Sequence, residues 1–277
     1  MSGVLYVVST PIGNVADISE RAQSVLQDVA AVAAEDTRRT GVLLDALGIQ
    51  ARLVSYHDHN ERERTPQLVE RLQQGESLAL VSDAGTPLVS DPGYRLVRAC
   101  QEAGIQVVPV PGASAVLAAL AVAGLPTDEF LFLGFLPAKG KVRRDALQRS
   151  LDSGCTTVIF EAPHRLVSLL EQLVDAGAAE REVALCRELT KNFETVRRAP
   201  VAELLEWVTA DLNQQKGEIV LVLGPGEQQH FANTQWQPLA KRLLQELPAA
   251  RVAKVLAEFT GEKRQALYQW LLEQEGK

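Results

Sequence analysis

The residues best suited to chemistry lie in one short segment, Ser82–Gly93. It contains two glycines, two prolines and the carboxylates of Asp83 and Asp91. Small residues let a ligand approach the backbone closely enough to bond its N–H and C=O groups. Carboxylates suit a cation or a ribose diol better than a phosphate. Two successive turns between a strand and a helix are the structural alternative, but the density of these residue types favours a ligand-binding loop.

Two further loops are compatible with either binding or a purely structural role. Pro111–Ala115 opens an alanine-rich helix, and its free N–H groups and Ser114 could hold a carboxylate. An ordinary helix cap with close packing explains the same residues equally well. Thr10–Asn14 is open to the same two interpretations.

Polar residues also follow two apolar runs in the second half of the chain. His164 could act as a base and Arg165 could bind a phosphate, whereas a helix start with Pro163 in its first turn is the structural alternative. A third possibility is that residues 160–162 form the wall of a ligand pocket. Residues 187–191 carry mixed charge, for which a structural ion pair is the default interpretation.

The distribution of charge leaves the nature of the partner open. The net charge of −7 counts against nucleic acid, because phosphate contacts need Lys and Arg. Residues 230–277 nevertheless hold seven Lys/Arg against five Asp/Glu, a balance of +2 that leaves −9 for the rest. Lys139–Arg144 is predicted to be a flexible basic segment, either a solvated loop or a contact for an RNA backbone.

Several function classes are disfavoured by patterns that the sequence lacks. Neither the dinucleotide fingerprint G-x-G-x-x-G after the first strand nor a phosphate-binding P-loop is present. His57 and His59 have no third imidazole near them in sequence, so a hydrated polar loop is favoured over a metal site. The sequence therefore predicts no metal.

The same kind of reasoning bears on localisation. No apolar run approaches the roughly 20 residues that span a bilayer, and Met1–Tyr6 has no basic region typical of a signal peptide. Cys100, Cys155 and Cys186 are scattered, which argues against a disulfide framework or a thiolate zinc site. We expect a cytoplasmic protein that does not enter a membrane.

The elements that must position these loops follow from hydrophobic patterning. Apolar runs at 5–8, 78–81 and 107–110 each end in a loop rich in proline, glycine or small polar residues, and helical stretches separate them. This alternation predicts an α/β fold with a mostly parallel sheet, in which ligands bind beyond the carboxyl ends of the strands. Further apolar runs after residue 125 predict a second α/β domain.

We therefore predict two α/β domains, residues 1–124 and 125–227, and a small helical appendage at 235–277. A polar segment, 224–237, is predicted to link the appendage to the rest. Its three amphipathic helices are expected near 238–246, 249–259 and 262–273. They suit a helix-turn-helix unit or a packing and dimerisation bundle equally well.

Several motifs in order along the chain resemble one family. Over about residues 4–225 the loops are similar to those of the tetrapyrrole methylases, and more narrowly to the family of ribosomal RNA small subunit methyltransferase I. The helical appendage also resembles the C-terminal extension of that family. The matching segments are Tyr6–Asn14, Ala34–Arg38, Val81–Gly93, Pro109–Gly112, Gly134–Pro137, Phe160–Arg165 and Arg187–Lys191.

The resemblance implies a fold of tetrapyrrole-methylase type with a cleft between the two α/β domains, a homodimer, and S-adenosyl-L-methionine as methyl donor. The implied product is a 2′-O-methylated cytidine in the decoding region of 16S rRNA, with the RNA expected within the small ribosomal subunit. One position departs from the broader pattern: Thr86 stands where an Asp is common, and Asp83 or Asp91 could substitute for that acid. Implied cofactor contacts are Pro11, Asp83, Ala84, Gly85, Thr86, Val89, Ser114, Ala115, Phe160, Glu161, Ala162, Gly217 and Glu218.

For the methyl transfer itself, the hypothesis is an in-line displacement helped by a general base and by alignment of the reacting atoms. The candidate bases are Asp83, Glu161, Glu35 and His164. Two other functions are retained as alternatives: a small-molecule, tetrapyrrole-like methylase and a non-enzymatic RNA-binding module. The candidate RNA contacts are Arg38, Lys139, Lys141, Arg143, Arg144, Arg165 and Lys191.

Overall fold

The computed structural model describes residues 2–226, 236–260 and 262–275. The chain divides into two compact units. The first comprises Met1–Leu151 with Cys155–Gly224, and the second comprises Asp152–Gly154 with Pro225–Lys277. Both α/β halves of the chain therefore belong to one compact unit.

The first half forms a fully parallel five-stranded sheet, which confirms the predicted α/β class. The strand order is β3-β2-β4-β1-β5. Its central strands are apolar along their whole length because helices cover both faces. The strands are β1 (Val4–Val8), β2 (Ala31–Ala34), β3 (Leu53–Ser55), β4 (Leu78–Val81) and β5 (Gln106–Val110), and the helices are α1 (Glu20–Asp28), α2 (Thr37–Leu47), α3 (Glu61–Gln73), α4 (Tyr94–Glu102) and α5 (Ala115–Ala123).

Local capping explains where the helices beside the site begin. Ser19 accepts a hydrogen bond from the Ala22 N–H at the start of α1, and Asp36 accepts one from the Arg38 N–H at the start of α2. Gly48 ends α2 in the left-handed conformation. The cap at Asp36 lies directly after β2, so it sets the phase of the helix whose first turn borders the site.

The second half forms a mixed five-stranded sheet of order β6-β7-β10-β8-β9. Only β6 and β7 pair in parallel, and the remaining pairs are antiparallel. The edge strand β9 was not anticipated, because its sequence Thr-Val-Arg-Arg-Ala-Pro is polar. The strands are β6 (Phe130–Phe135), β7 (Thr156–Glu161), β8 (Glu182–Arg187), β9 (Thr195–Pro200) and β10 (Ile219–Leu223), and the helices are α6 (Gly140–Asp152), α7 (Leu166–Asp175) and α8 (Val201–Ala210).

The two halves are packed together by α5 and by one glycine. Val116, Ala119 and Leu120 of α5 pack in a shared core with Val158 and Val220 of the second sheet. A bulge in β6 places Gly134 at φ +59°, and a Cβ there would lie 2.7 Å from the Ser90 hydroxyl. Loop 82–93 of the first half therefore lies directly against the second sheet.

The C-terminal helices are α9 (Trp236–Leu244), α10 (Ala249–Thr260) and α11 (Arg264–Glu275). They have a core of their own in which the rings of Trp236 and Trp270 meet edge to face at 4.7 Å. Most of the predicted linker, residues 227–235, lies outside the described residues, as do the first residue of the predicted appendage (235), Gly261 and the last two residues. Among the described residues, no helix is both long and apolar enough to cross a bilayer.

Candidate functional site

A cavity of about 420 Å³ lies where the strand ends of the first sheet face the second sheet. Its first wall consists of residues that follow β1, β2 and β4, together with the start of α5. Its second wall consists of residues from β6, β7 and β10 and the turns beside them. The lining residues are Ile12, Glu35, Arg39, Asp83, Ala84, Gly85, Thr86, Val89, Asp91, Ser114, Ala115, Val116, Phe135, Phe160, Glu161, Ala162, Pro163, Gly217, Glu218, Ile219 and Val220.

The loops of the first wall are tied together by a small set of hydrogen bonds. Thr10 and Gly85 exchange two backbone hydrogen bonds, of 2.8 and 3.0 Å. The Thr86 hydroxyl contacts the Ser9 hydroxyl at 2.9 Å and the Ala113 carbonyl at 3.2 Å. Thr86 therefore connects the loops after β1, β4 and β5, and this is the position at which the sequence departs from the broader family pattern.

Loop 82–93 also holds two non-glycine residues in a strained conformation. Leu88 has φ +73° and Ser90 has φ +68°, in the left-handed region that disfavours residues with a side chain. Such residues persist only where the surrounding structure fixes them, and they concentrate at functional sites. The loop is therefore shaped before any ligand arrives.

Three carboxylates of the first wall face the cavity. The Asp83 N–H bonds Glu35 Oε2 at 3.3 Å, and Asp83 Oδ1 accepts the Asp36 N–H at 3.0 Å. Burial raises the pKa of Glu35, although the Asp83 N–H opposes the shift, and the nearby carboxylates raise it further. Burial likewise raises the pKa of Asp91, and Asp83 and Asp58 add to the effect. The negative charge of the cluster can stabilise a cation, and the raised pKa values make Glu35 and Asp91 better proton acceptors than ordinary carboxylates.

Arg39 is a residue of this wall that sequence reasoning missed. Its guanidinium Nη1 lies 3.1 Å from Asp83 Oδ2, while 68 % of its side chain is exposed. The predicted phosphate contact, Arg38, instead bonds its own cap residue Asp36 at 3.1 and 2.7 Å and is 89 % exposed. Successive helix residues differ by about 100° in direction, so only the phase of α2 decides which arginine borders the cavity.

The second wall rests on a buried ion cluster at Glu161. Arg143 donates to Glu161 Oε2 at 3.2 and 3.3 Å, and Arg165 and the Ala162 N–H reach Oε1 at 2.5 and 2.8 Å. The Glu161 side chain is wholly buried, and 6 % of that of Arg143 is exposed. Since both carboxylate oxygens are already engaged, the geometry suits Glu161 to fixing the wall rather than to taking a substrate proton.

Two predictions about the basic segment Lys139–Arg144 are wrong. Residues 140–144 form the first turn of α6 rather than a flexible loop. Arg143 is not a surface contact for RNA, because its guanidinium is buried against Glu161. Lys139, Lys141 and Arg144 are exposed, and Lys141 also pairs with Asp145 at 2.9 Å.

The remaining predicted residues fall into two groups. Gly217 and Glu218 border the cavity, and Lys191 binds Glu188 at 2.8 Å and Glu218 at 3.0 Å. Pro11 and His164 are not among the lining residues, whereas their neighbours Ile12 and Pro163 are. Apart from Arg39, the lining residues that were not anticipated are mostly apolar neighbours of predicted ones: Ile12, Val116, Phe135, Pro163, Ile219 and Val220.

The described residues offer no metal centre. No group of three or more His, Cys, Asp or Glu side chains within them could hold a metal ion. The oxygens of Glu35 and Asp83 bond backbone N–H groups and Arg39, which differs from the arrangement at a metal site. The chemistry of this wall therefore suits an organic cation or a hydroxyl group.

Comparison with known proteins places these features in a family context. The family model described as Tetrapyrrole (Corrin/Porphyrin) Methylases matches residues 4–205, and the one described as RsmI C-terminal HTH domain matches residues 233–275. Two curated relatives named ribosomal RNA small subunit methyltransferase I, from Escherichia coli O157:H7 and Pseudomonas aeruginosa, are 51 % and 50 % identical. The alignments cover 99 % and 100 % of this chain and 96 % and 99 % of those proteins.

Solved structures confirm the fold. A diphthine synthase superposes with a TM-score of 0.62 at 18 % identity, covering 80 % of this chain and 90 % of that one. Uroporphyrin-III C-methyl transferase from Thermus thermophilus, complexed with S-adenyl homocysteine, superposes with a TM-score of 0.56 at 18 % identity, covering 80 % and 97 %. At this identity the likeness concerns the fold alone.

Removal of Arg143 tests whether the Glu161 cluster supports the second wall. Arg143→Met should lower the free energy of unfolding by about 3 kcal/mol, because it leaves a buried carboxylate with one cationic partner instead of two. Denaturant unfolding measures the change. The exposed neighbour provides the control, since Arg144→Met should change stability by less than about 0.5 kcal/mol. Equal losses in the two variants would contradict the assignment.

The pKa of Glu35 predicts how stability depends on pH. Because burial raises this pKa in the folded protein, the charged carboxylate costs stability at neutral pH. Glu35→Gln should therefore raise Tm at pH 7.5, and the gain should vanish as the pH falls through the folded pKa and the wild-type carboxyl becomes protonated. Thermal unfolding at pH 7.5 and pH 4 measures this. The exposed Glu206→Gln is the control, and a gain of the same size there would overturn the interpretation.

Proposed function

The chain belongs to the family of ribosomal RNA small subunit methyltransferase I, and on that premise we propose that it transfers a methyl group to the 2′-hydroxyl of a cytidine in 16S rRNA. The methyl donor is S-adenosyl-L-methionine, and the RNA is bound in the small ribosomal subunit. The observation that carries the proposal is the preformed cavity at the strand ends, which combines apolar walls with a cluster of three carboxylates. Such a ribosomal substrate places the protein in the cytoplasm.

The residues around the cavity fit this donor in their chemistry. A volume of about 420 Å³ falls in the range of small-molecule sites. Ile12, Phe135 and Phe160 supply apolar surface for an adenine ring. The N–H groups at the start of α5, near Ser114, suit the amino-acid carboxylate of the donor. Glu35, Asp83 and Asp91 supply negative charge for its sulfonium.

When bound, the donor supplies an electrophilic methyl group, and the protein must supply alignment and a proton acceptor. Fixed walls orient the ribose oxygen, and such alignment can lower the barrier by several kcal/mol, about 7–11 in favourable cases. Asp83 is the preferred base, because its Oδ1 is held by the Asp36 N–H, while its Oδ2 pairs with the largely exposed Arg39, a partner that can leave. Glu35 is the second candidate because its pKa is raised. Glu161 and His164 are weaker candidates, the first for its engaged oxygens and the second for its position off the cavity.

We infer that exposed cations near the cavity and on α6 hold the RNA backbone. Arg38, Lys139, Lys141 and Arg144 are exposed, as phosphate contacts must be. Arg165 and Lys191 have partners within the protein and would have to exchange them for phosphates. The helical extension favours an RNA substrate over a tetrapyrrole, because a small-molecule methylase has no evident use for it.

Methyl transfer to unmodified 30S subunits tests the proposal. With labelled S-adenosyl-L-methionine, we expect label in 16S rRNA, located by nuclease mapping to a cytidine ribose. Asp83→Asn should lower the rate by about 10²–10⁴-fold while preserving the fold, because it removes the proton acceptor. Normal activity of that variant would remove Asp83 from the mechanism.

Two controls separate the alternative functions. A small-molecule methylase should keep its activity when residues 230–277 are deleted, whereas an rRNA enzyme that uses the extension should lose turnover on 30S subunits. A non-enzymatic RNA-binding module should show no heat of binding when titrated with S-adenosyl-L-methionine alone. Cofactor binding together with label in RNA would exclude both alternatives.

We further propose that the protein acts as a homodimer in which α5 lies at the interface. All nine residues of α5 are Ala, Val or Leu, and a helix that is apolar on every side is ordinarily buried. One face packs against the second sheet, yet Leu117 is 60 % exposed and Val122 is 49 % exposed. A second copy would cover this face.

Substitution on the outer face of α5 tests the dimer. Sedimentation should give twice the 30.1 kDa chain mass for the wild type. Leu117→Glu should shift the protein toward the monomer, because the glutamate would have to be desolvated in the interface. The exposed apolar Val42 of α2 is the matched control, and Val42→Glu should leave the mass unchanged. A monomeric wild type would rule the dimer out.

A further inference from the structure

We propose that Arg39 is a phosphate-binding residue of the substrate site, and that its capture by an RNA phosphate frees Asp83 to accept the ribose proton. The inference rests on the proposed function and assigns to Arg39 a role that couples substrate binding to release of the base. Before the RNA binds, Asp83 Oδ2 is paired with Arg39 at 3.1 Å. Afterwards, the guanidinium is paired with a phosphate of the substrate.

Position and exposure make Arg39 accessible to an incoming RNA. It lies in the first turn of α2 and borders the cavity, while 68 % of its side chain remains exposed. One contact with a carboxylate oxygen uses few of the five N–H donors of a guanidinium. The side chain can therefore begin to bind a phosphate before it has left Asp83.

The balance of free energy allows the exchange. An ion pair that is this exposed contributes little to stability. A phosphate accepts two parallel hydrogen bonds from a guanidinium, a geometry that is stronger than a single contact. The contrast within the same site is Arg143, whose pair with Glu161 is buried and cannot open without stranding a charge.

Asp83 stays in place when its partner leaves. Its Oδ1 accepts the Asp36 N–H at 3.0 Å, and its own N–H bonds Glu35 at 3.3 Å. The freed Oδ2 can therefore take the proton of a ribose hydroxyl at a fixed position. In that step the ribose O–H bond breaks, an O–C bond forms to the methyl group, and the S–C bond of the sulfonium donor breaks with its electron pair remaining on sulfur.

The neighbouring residue Arg38 shows what is particular to Arg39. Arg38 carries the same charge one residue earlier, but its guanidinium is held by Asp36 through two bonds of 2.7 and 3.1 Å. General attraction for RNA would involve the two arginines alike. Both can contact a phosphate, but the exchange that frees Asp83 involves Arg39, the arginine that pairs with its Oδ2.

The experiment measures kcat and KM for unmodified 30S subunits at several monovalent salt concentrations and fixed Mg²⁺. Arg39→Gln should raise KM by about 10-fold or more through loss of a charged hydrogen-bonding contact, with kcat at saturation changed less than 3-fold. In this variant, the slope of log KM plotted against the logarithm of the salt concentration should be smaller than in the wild type by about 0.7–0.9. This is the value for one phosphate contact. Arg39→Lys should recover part of the loss. The exposed Arg21→Gln is the control and should leave KM and the slope at wild-type values.

Asp83→Asn supplies the readout that separates an exchange from a structural ion pair. In this variant Arg39 has no ion pair to break, so it should bind the phosphate at least as well as in the wild type. KM should therefore stay the same or fall. The kcat should fall strongly, because the proton acceptor is lost. A rise of KM in Asp83→Asn, or an unchanged KM in Arg39→Gln, would overturn the inference. A wild-type protein that methylates no RNA would instead overturn the proposed function.

Discussion

The site depends on the pairing of Thr10 with Gly85, reinforced by the Thr86 hydroxyl. These contacts join the ends of β1 and β4, and the Ala113 carbonyl adds the loop after β5. In a parallel sheet, all the strands deliver their loops to the same edge, but the loops converge on a ligand only if they are tied to one another. Once they are tied, the carboxylates of the neighbouring loops are held at hydrogen-bond distance from one another's backbone.

The opposite wall is fixed by a different kind of interaction. Glu161 ends β7 with its carboxylate buried beneath the wall, where Arg143 of α6 and Arg165 satisfy it. Buried ion clusters contribute little net stability relative to an apolar core, but displacement of one partner leaves a buried charge unpaired. The close approach of Gly134 to Ser90 then brings this wall against loop 82–93. Backbone pairing thus holds the first wall of the cavity, and a buried ion cluster holds the second.

The acidic face of the cavity comes at a cost in stability. Burial raises the pKa of both Glu35 and Asp91, so their charged forms are disfavoured by the fold itself. The left-handed conformations of Leu88 and Ser90 add strain to the same loop. An unliganded protein gains nothing from either feature, whereas a cationic methyl donor would be stabilised by the charge and admitted by the preformed loop. The exposed Arg39 offsets part of this charge through its ion pair with Asp83.

By itself, the sequence determined the class of fold and most of the loops that form the cavity. Alternating apolar runs and the proline and glycine segments that end them are local signals, and they predicted the parallel sheet and the segment 82–93. Charge patterning was less informative: it predicted an exposed Arg143 and overlooked the polar edge strand β9. The predicted domain boundary at residue 124 gave no indication that α5, which lies just before it, packs against the second sheet. Only the tertiary structure decided which arginine of α2 borders the cavity and which charges are buried. Those outcomes depend on helix phase and on partners far apart in the chain, and neither is encoded in any local pattern of residues.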